Sequence, residues 1–109
     1  MKNSSDPKSP SHLSKEAQGW WKRITDEFDI DCATSLVLQS VLEAFDRSRE
    51  ARALLKRDGV IVVDRFGQQK AHPAAAVERD SYATMLRGWR MLGLDIEPPG
   101  PIGRPPGRR

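Results

Sequence analysis

Three stretches of the chain place apolar side chains at helical spacing, and one stretch between them does not. The longest runs from Ala33 to Asp58 with no proline or glycine. Along it Val37, Val41, Ala44, Ser48, Ala51 and Leu55 fall in alternating steps of four and three. That is a heptad seam with small residues at its middle. Leu38, Leu42 and Phe45 broaden it over the first half. Asp31 or Thr34 is placed to cap the start, and Gly59 to take the left-handed position after the end. A helix of this length spans roughly 38 Å, more than a domain of this size covers from one side. Part of the seam is therefore expected to meet another copy of the chain, which makes all six residues candidates for oligomerisation.

Ahead of it, Ala17, Trp20, Trp21, Ile24 and Phe28 mark a first helix. Ser14 is its expected N-cap, Glu16 favours the first turn, and Leu13 before the cap is a hydrophobic staple. The short connection Asp29–Cys32 should fold this helix back onto the first half of the long one, where the apolar face is broadest.

After Gly59 the pattern changes. Val60, Ile61, Val62 and Val63 favour a strand, Asp64–Gly67 a turn, and Gln68–Ala71 a weaker return strand. Such a ribbon is marginal alone and must pack on a helix or on a neighbouring subunit. His72-Pro73 then opens a third helix, with Val77, Ser81, Met85, Gly88 and Leu92 as its seam. Tyr82, Leu86 and Trp89 flank that seam, and Gly93 closes the helix.

The fold so predicted is mainly α: three helices with a short β-hairpin between the second and third, assembling as an oligomer. Residues 1–12, rich in Ser, Pro and Lys, read as a disordered arm. Residues 13–97 form the helical oligomerisation domain, with the hairpin near 60–71. Residues 98–109, a Pro/Gly/Arg run, read as a flexible tail.

Dividing the net charge of +3 is more informative than the total. Residues 1–12 carry +1, residues 13–97 carry −1, and residues 98–109 carry +3 from Arg104, Arg108 and Arg109. A nearly neutral body argues against a domain that coats nucleic acid by charge alone. No apolar run is long enough to span a membrane, and the N-terminus has no secretion-signal core, so a cytoplasmic protein is expected. Cys32 cannot form an internal disulfide, and reads as a small residue buried in a turn. With His12 and His72 it is too sparse for a metal site, and no cofactor is implied.

Catalytic motifs are absent from the sequence. There is no phosphate-binding loop of the G-x-x-x-x-G-K-[ST] type and no G-x-G-x-x-G. Asp29 and Asp31 read as loop and cap residues, and His72 as a helix-start residue rather than a general base. The chain is accordingly read as no enzyme.

Three features could touch nucleic acid. Arg49, Arg52 and Lys56 fall on one face of the long helix, and Arg79, Arg87 and Arg90 near one face of the third. Such stripes are ordinarily solvated and paired with acids, and Asp46 stands three residues before Arg49. In the tail, Gly103-Arg104-Pro105 resembles the core of an AT-hook, although Pro106 stands where a basic residue is expected, and a charged linker is the simpler reading. Trp20-Trp21 offers a stacking platform, but adjacent helical positions diverge by about 100°, which suits the core better. The nucleic-acid candidates are thus Arg49, Arg52, Lys56, Arg104, Arg108 and Arg109.

The order of these pieces resembles the compact family of phage terminase small subunits. The matching segments are Leu13-Ser14-Lys15-Glu16-Ala17 with Trp21, Asp58-Gly59-Val60-Ile61-Val62, His72-Pro73-Ala74 and Leu92-Gly93-Leu94. The resemblance implies a ring-forming, non-catalytic adaptor that helps select double-stranded viral DNA. It also implies a partner, the large subunit that carries the ATPase and nuclease, and a place in the host cytoplasm. No separate N-terminal helix-turn-helix domain, of the kind many such subunits have, is expected from these residues, so no DNA-contacting residue carries over. Two alternatives stand beside this reading. One is a small regulator using the first two helices as a helix-turn-helix, which Asp29 and Asp31 at the second helix's start disfavour. The other is an oligomeric scaffold with no DNA role.

Overall fold

The computed structural model describes residues 7–100. Helix α1 spans Lys15–Glu27, α2 Cys32–Asp58 and α3 Pro73–Leu92, with strands β1 (Ile61–Val63) and β2 (Gln69–Ala71) between α2 and α3. This is the mainly helical order that the periodicity predicts, hairpin included.

Each helix begins where a side chain can satisfy its free N–H groups. Ser14 Oγ accepts from the Ala17 N–H at 3.0 Å to start α1. Ser14 also donates from its own N–H and hydroxyl to the Asp46 carboxylate, at 2.8 and 2.5 Å, which pins the start of α1 halfway along α2. Asp31 caps α2 by accepting from the Thr34 N–H at 2.7 Å. That hydrogen bond holds its carboxyl below the ordinary range. Cys32 is not buried in a turn as the sequence suggests: it is the first residue of α2 and is exposed, because that position precedes any packed turn. His72 caps α3, its Nδ1 accepting from the Ala74 N–H at 3.0 Å, with Pro73 in the first turn.

The core lies where α1 packs across the α2–α3 pair. Phe45, Ile24, Leu38, Leu42 and Met85 are fully buried, with Ala17, Trp21 and Trp89 around them. Each of the large ones contributes about 1.5–3 kcal/mol by leaving water. Trp20 is half-buried and meets Trp89 edge to face, ring centroids 5.4 Å apart, so both tryptophans of the pair serve packing. Gly88 allows α3 to approach α2 closely: a side chain there would run into Val41. Farther along, Ala51 and Leu55 of α2 meet Ala74 of α3 in a second small cluster. Val41 opposite Gly88 and Ala51 opposite Ala74 make the two helices antiparallel.

The α2 seam is therefore turned inward. Val41, Ala44, Ser48, Ala51 and Leu55 are buried within the chain, and only Val37 of the six remains half-exposed. Buried Ser48 is satisfied by donating to the Phe45 carbonyl at 2.8 Å. A seam of this period suits a neighbouring helix of the same chain as well as one from another copy, and α3 occupies it.

Both ends of the described chain lie against this body. Trp21 Nε1 donates to the Pro7 carbonyl at 3.2 Å, so residues 7–12, read as part of a disordered arm, run along α1. After Gly93, residues 94–100 form a strap. Trp89 Nε1 donates to the Ile96 carbonyl (2.9 Å) and the Tyr82 hydroxyl to the Pro99 carbonyl (3.1 Å). Pro99 is buried, which carries the packed body past residue 97. Buried indole and phenol donors need acceptors, and a proline-rich segment supplies bare carbonyls.

Candidate nucleic-acid and assembly surfaces

The basic stripe of α2 divides into one tied residue and two free ones. Arg49 has its side chain only 19% exposed, with Nη1 donating to the Gly100 carbonyl at 2.9 Å. Its guanidinium lies over the Phe45 ring, 4.5 Å from the centroid. Glu16 Oε1 stands 3.6 Å from Nε, an ion pair without a hydrogen bond. Arg49 thus joins α1, α2 and the strap, and Asp46, its expected partner, is engaged by Ser14 instead. Arg52 is half-buried and Lys56, one turn on, is exposed, neither with an acid partner among the described residues. On α3, Arg79 pairs with Asp80 at 3.4 Å, Arg87 donates to Thr84 Oγ1 at 3.2 Å, and Arg90 is exposed. Arg104, Arg108 and Arg109, with the AT-hook-like triplet, lie outside the described residues.

The hairpin stands clear of the helical core. Its register pairs Ile61 with Ala71, Val62 with Lys70 and Val63 with Gln69. At the tip, Asp64 Oδ1 accepts from the Phe66 and Gln68 N–H groups at 2.9 and 3.0 Å. Gly67, with φ +80°, donates its N–H to the Asp64 carbonyl at 3.0 Å, the geometry of a short hairpin loop closed by a glycine bulge. Phe66 is 75% exposed, with Arg65 stacked over its ring at 5.2 Å. Val60, Ile61 and Val63 are exposed too, so among the described residues no helix covers the ribbon. Arg65 and Phe66 are surface residues that the reading of the sequence passed over; the D-R-F-G turn was their signal.

A clasp holds the base of this ribbon. Asp58 accepts from Arg57 Nε and Nη2 at 2.6 and 2.9 Å. His72 Nε2 lies 3.0 Å from the same carboxylate. Because His72 Nδ1 accepts from Ala74, Nε2 carries the proton and donates to Asp58. Arg57 first, then His72, holds the Asp58 carboxyl well below the usual carboxylate range, and Asp58 in turn raises Arg57. The His72 N–H also donates to the Val60 carbonyl at 2.8 Å, which closes the excursion between α2 and α3.

At the other end of α2, an open apolar groove of about 320 Å³ lies between α2 and α3. Val37, Val41 and Gly88 line its floor, and Ser40, Thr84, Arg87 and Met91 its sides. Met91 is 75% exposed. Among the described residues no group of His, Cys, Asp or Glu side chains is arranged to hold a metal ion, and no helix is long and apolar enough to cross a membrane.

Compared with known proteins, residues 17–99 match the family model described as phage terminase, small subunit. No curated protein and no solved structure matches the chain.

Proposed function

Because the chain belongs to the phage terminase small-subunit family, we propose that it is the non-catalytic adaptor of a genome-packaging motor, bringing double-stranded viral DNA to a large subunit that carries the ATPase and nuclease. The observation that carries this reading is the extent of the family match, which takes in α1 from Ala17 onward, α2, the hairpin, α3 and the strap as far as Pro99. The absence of a nucleotide-binding loop from the sequence fits an adaptor.

DNA contact falls to the α2 cations that have no acid partner among the described residues, and to the arginines of the tail. Arg52 and Lys56 share one face of α2, and Arg104, Arg108 and Arg109 concentrate charge in the tail. Arg49 drops out, since its guanidinium is engaged within the fold. Such cations contact phosphates rather than base edges, so affinity per chain is low and largely independent of sequence. A ring of identical subunits multiplies such contacts around one duplex. With the α2 seam occupied by α3, self-association in the host cytoplasm uses surfaces other than Val41, Ala44, Ser48, Ala51 and Leu55.

The test pairs the purified chain with its cognate large subunit and DNA. The expected result is a changed ATPase rate of the large subunit when the chain is added, and no ATP turnover by the chain alone. An unchanged rate together with no detectable DNA binding at low salt would overturn the adaptor reading.

A further inference from the structure

We propose that the hairpin of one copy seats Phe66 in the α2–α3 groove of a second copy. The inference rests on the homo-oligomer reading and adds to it the residues that make the contact.

The chain exposes two unlike apolar surfaces at opposite ends of α2. One is a ridge: Phe66 at the hairpin tip, with Ile61 and Val63 behind it. The other is the hollow between Val37, Val41, Gly88 and Met91. Val41 and Asp58 are seventeen residues apart on one helix, so roughly 25 Å separates the hollow from the hairpin's base. The ridge therefore cannot fill the hollow of its own chain, and neither is covered by another element among the described residues. A hollow of about 320 Å³ has room for an aromatic ring. At its floor Gly88 lets α3 close directly on Val41.

Charge points the same way. Residues 52–71 at the hairpin end hold five Lys/Arg against two Asp, +3. Residues 22–40, around the start of α2 at the groove end, hold two Lys/Arg against four Asp/Glu, −2. The groove's other wall, residues 84–97, is neutral, with Arg87 and Arg90 against Asp95 and Glu97. Hairpin end against groove end thus brings opposite charges together, whereas hairpin against hairpin brings like charges together.

The ridge is also ordered before it docks. Asp64 accepts from the Phe66 and Gln68 N–H groups across the tip, and the Asp58–His72 clasp fixes the base. Little conformational freedom is then lost on seating, which favours association.

The test uses the full chain with one substitution on each side. Phe66→Glu places a charge on the ridge and Met91→Glu places one at the rim of the groove; both positions are three-quarters exposed, and circular dichroism checks that the helices persist. By light scattering, wild type is expected to be oligomeric at tens of micromolar and each variant monomeric. An equimolar mixture of the two variants is expected to give a two-chain species, since one intact hairpin still meets one intact groove. As a measurement independent of dissociation, Arg65→Cys, which keeps Phe66 in place, with Ser40→Cys on a Cys32→Ser background should form disulfides between chains on oxidation. If wild type is oligomeric and either Glu variant assembles as wild type does, or no interchain disulfide forms, the hairpin–groove contact is wrong while the oligomer reading stands. If wild type is monomeric, both fall.

Discussion

Gly88 of α3 lies directly against Val41 of α2, with no space between the two helices for so much as a methyl group. A glycine in a helix interior costs about 1 kcal/mol relative to alanine, so its presence needs a reason. Close helix approach at the groove floor is that reason.

Gly88→Ala should therefore destabilise the fold by about 1–2 kcal/mol, overpacking against Val41 outweighing the gain in helix propensity. Gly19, in the exposed part of α1 with nothing near it, is the internal control. Gly19→Ala should stabilise by about 0.5–1 kcal/mol. Urea unfolding midpoints of the two variants should move in opposite directions, and movement in the same direction would refute the packing account.

Arg49→Met keeps the aliphatic stem over Phe45 but loses the charge, the Gly100 hydrogen bond and the pairing with Glu16. A stability loss of about 1–3 kcal/mol is expected. Amide exchange should quicken along the strap. DNA affinity, measured where the variant is fully folded, should fall less than in a combined Arg52→Ala and Lys56→Ala variant, whose fold should be unaffected.

Acid should loosen the clasp. The folded Asp58 carboxyl lies below its ordinary value of 3.8 because of Arg57 and His72. Its stabilising contribution is thus complete above that value and is lost as pH falls through the folded one. Glu43, lowered from 4.5 by hydrogen bonds from Gln39 and then His12, behaves in the same sense. Both groups are exposed to water, so the effect is modest. The melting temperature should hold down to about pH 5 and drop below about pH 4. Asp58→Asn should melt lower at neutral pH and show a smaller acid drop. An equal drop in the variant would remove Asp58 from the explanation.

Deleting residues 101–109 removes Arg104, Arg108 and Arg109 while sparing the Gly100 carbonyl that Arg49 holds. DNA affinity should fall on every sequence, and the slope of log K against log salt should flatten by up to about 2.7 per chain. Oligomer mass and melting temperature should stay as in the full chain. Unchanged affinity and slope would assign binding to Arg52 and Lys56 instead.

Local chemistry was legible in the sequence. Ser14, Asp31 and His72-Pro73 start helices because their side chains or rings suit a helix N-terminus wherever it lies. Four β-branched residues followed by D-R-F-G make a hairpin for equally local reasons. The apolar periods marked most of the buried faces that the fold uses; on α3, Val77 of the expected seam is exposed, while Trp89, read as a flank, is buried. What the tertiary structure alone decided was who meets whom. The period of Val41, Ala44, Ser48, Ala51 and Leu55 is the same whether the partner helix comes from this chain or another, and only the antiparallel return of α3 over them resolves it. Arg49 looked like its neighbours Arg52 and Lys56, because a charge stripe carries no record of Glu16 or Gly100, dozens of residues away, closing on one member. The strap and residues 7–12 are poor in regular structure by composition. They are held by side-chain donors, Trp89, Tyr82 and Arg49 for the strap and Trp21 for Pro7, whose need for an acceptor arises only once folding takes them out of water.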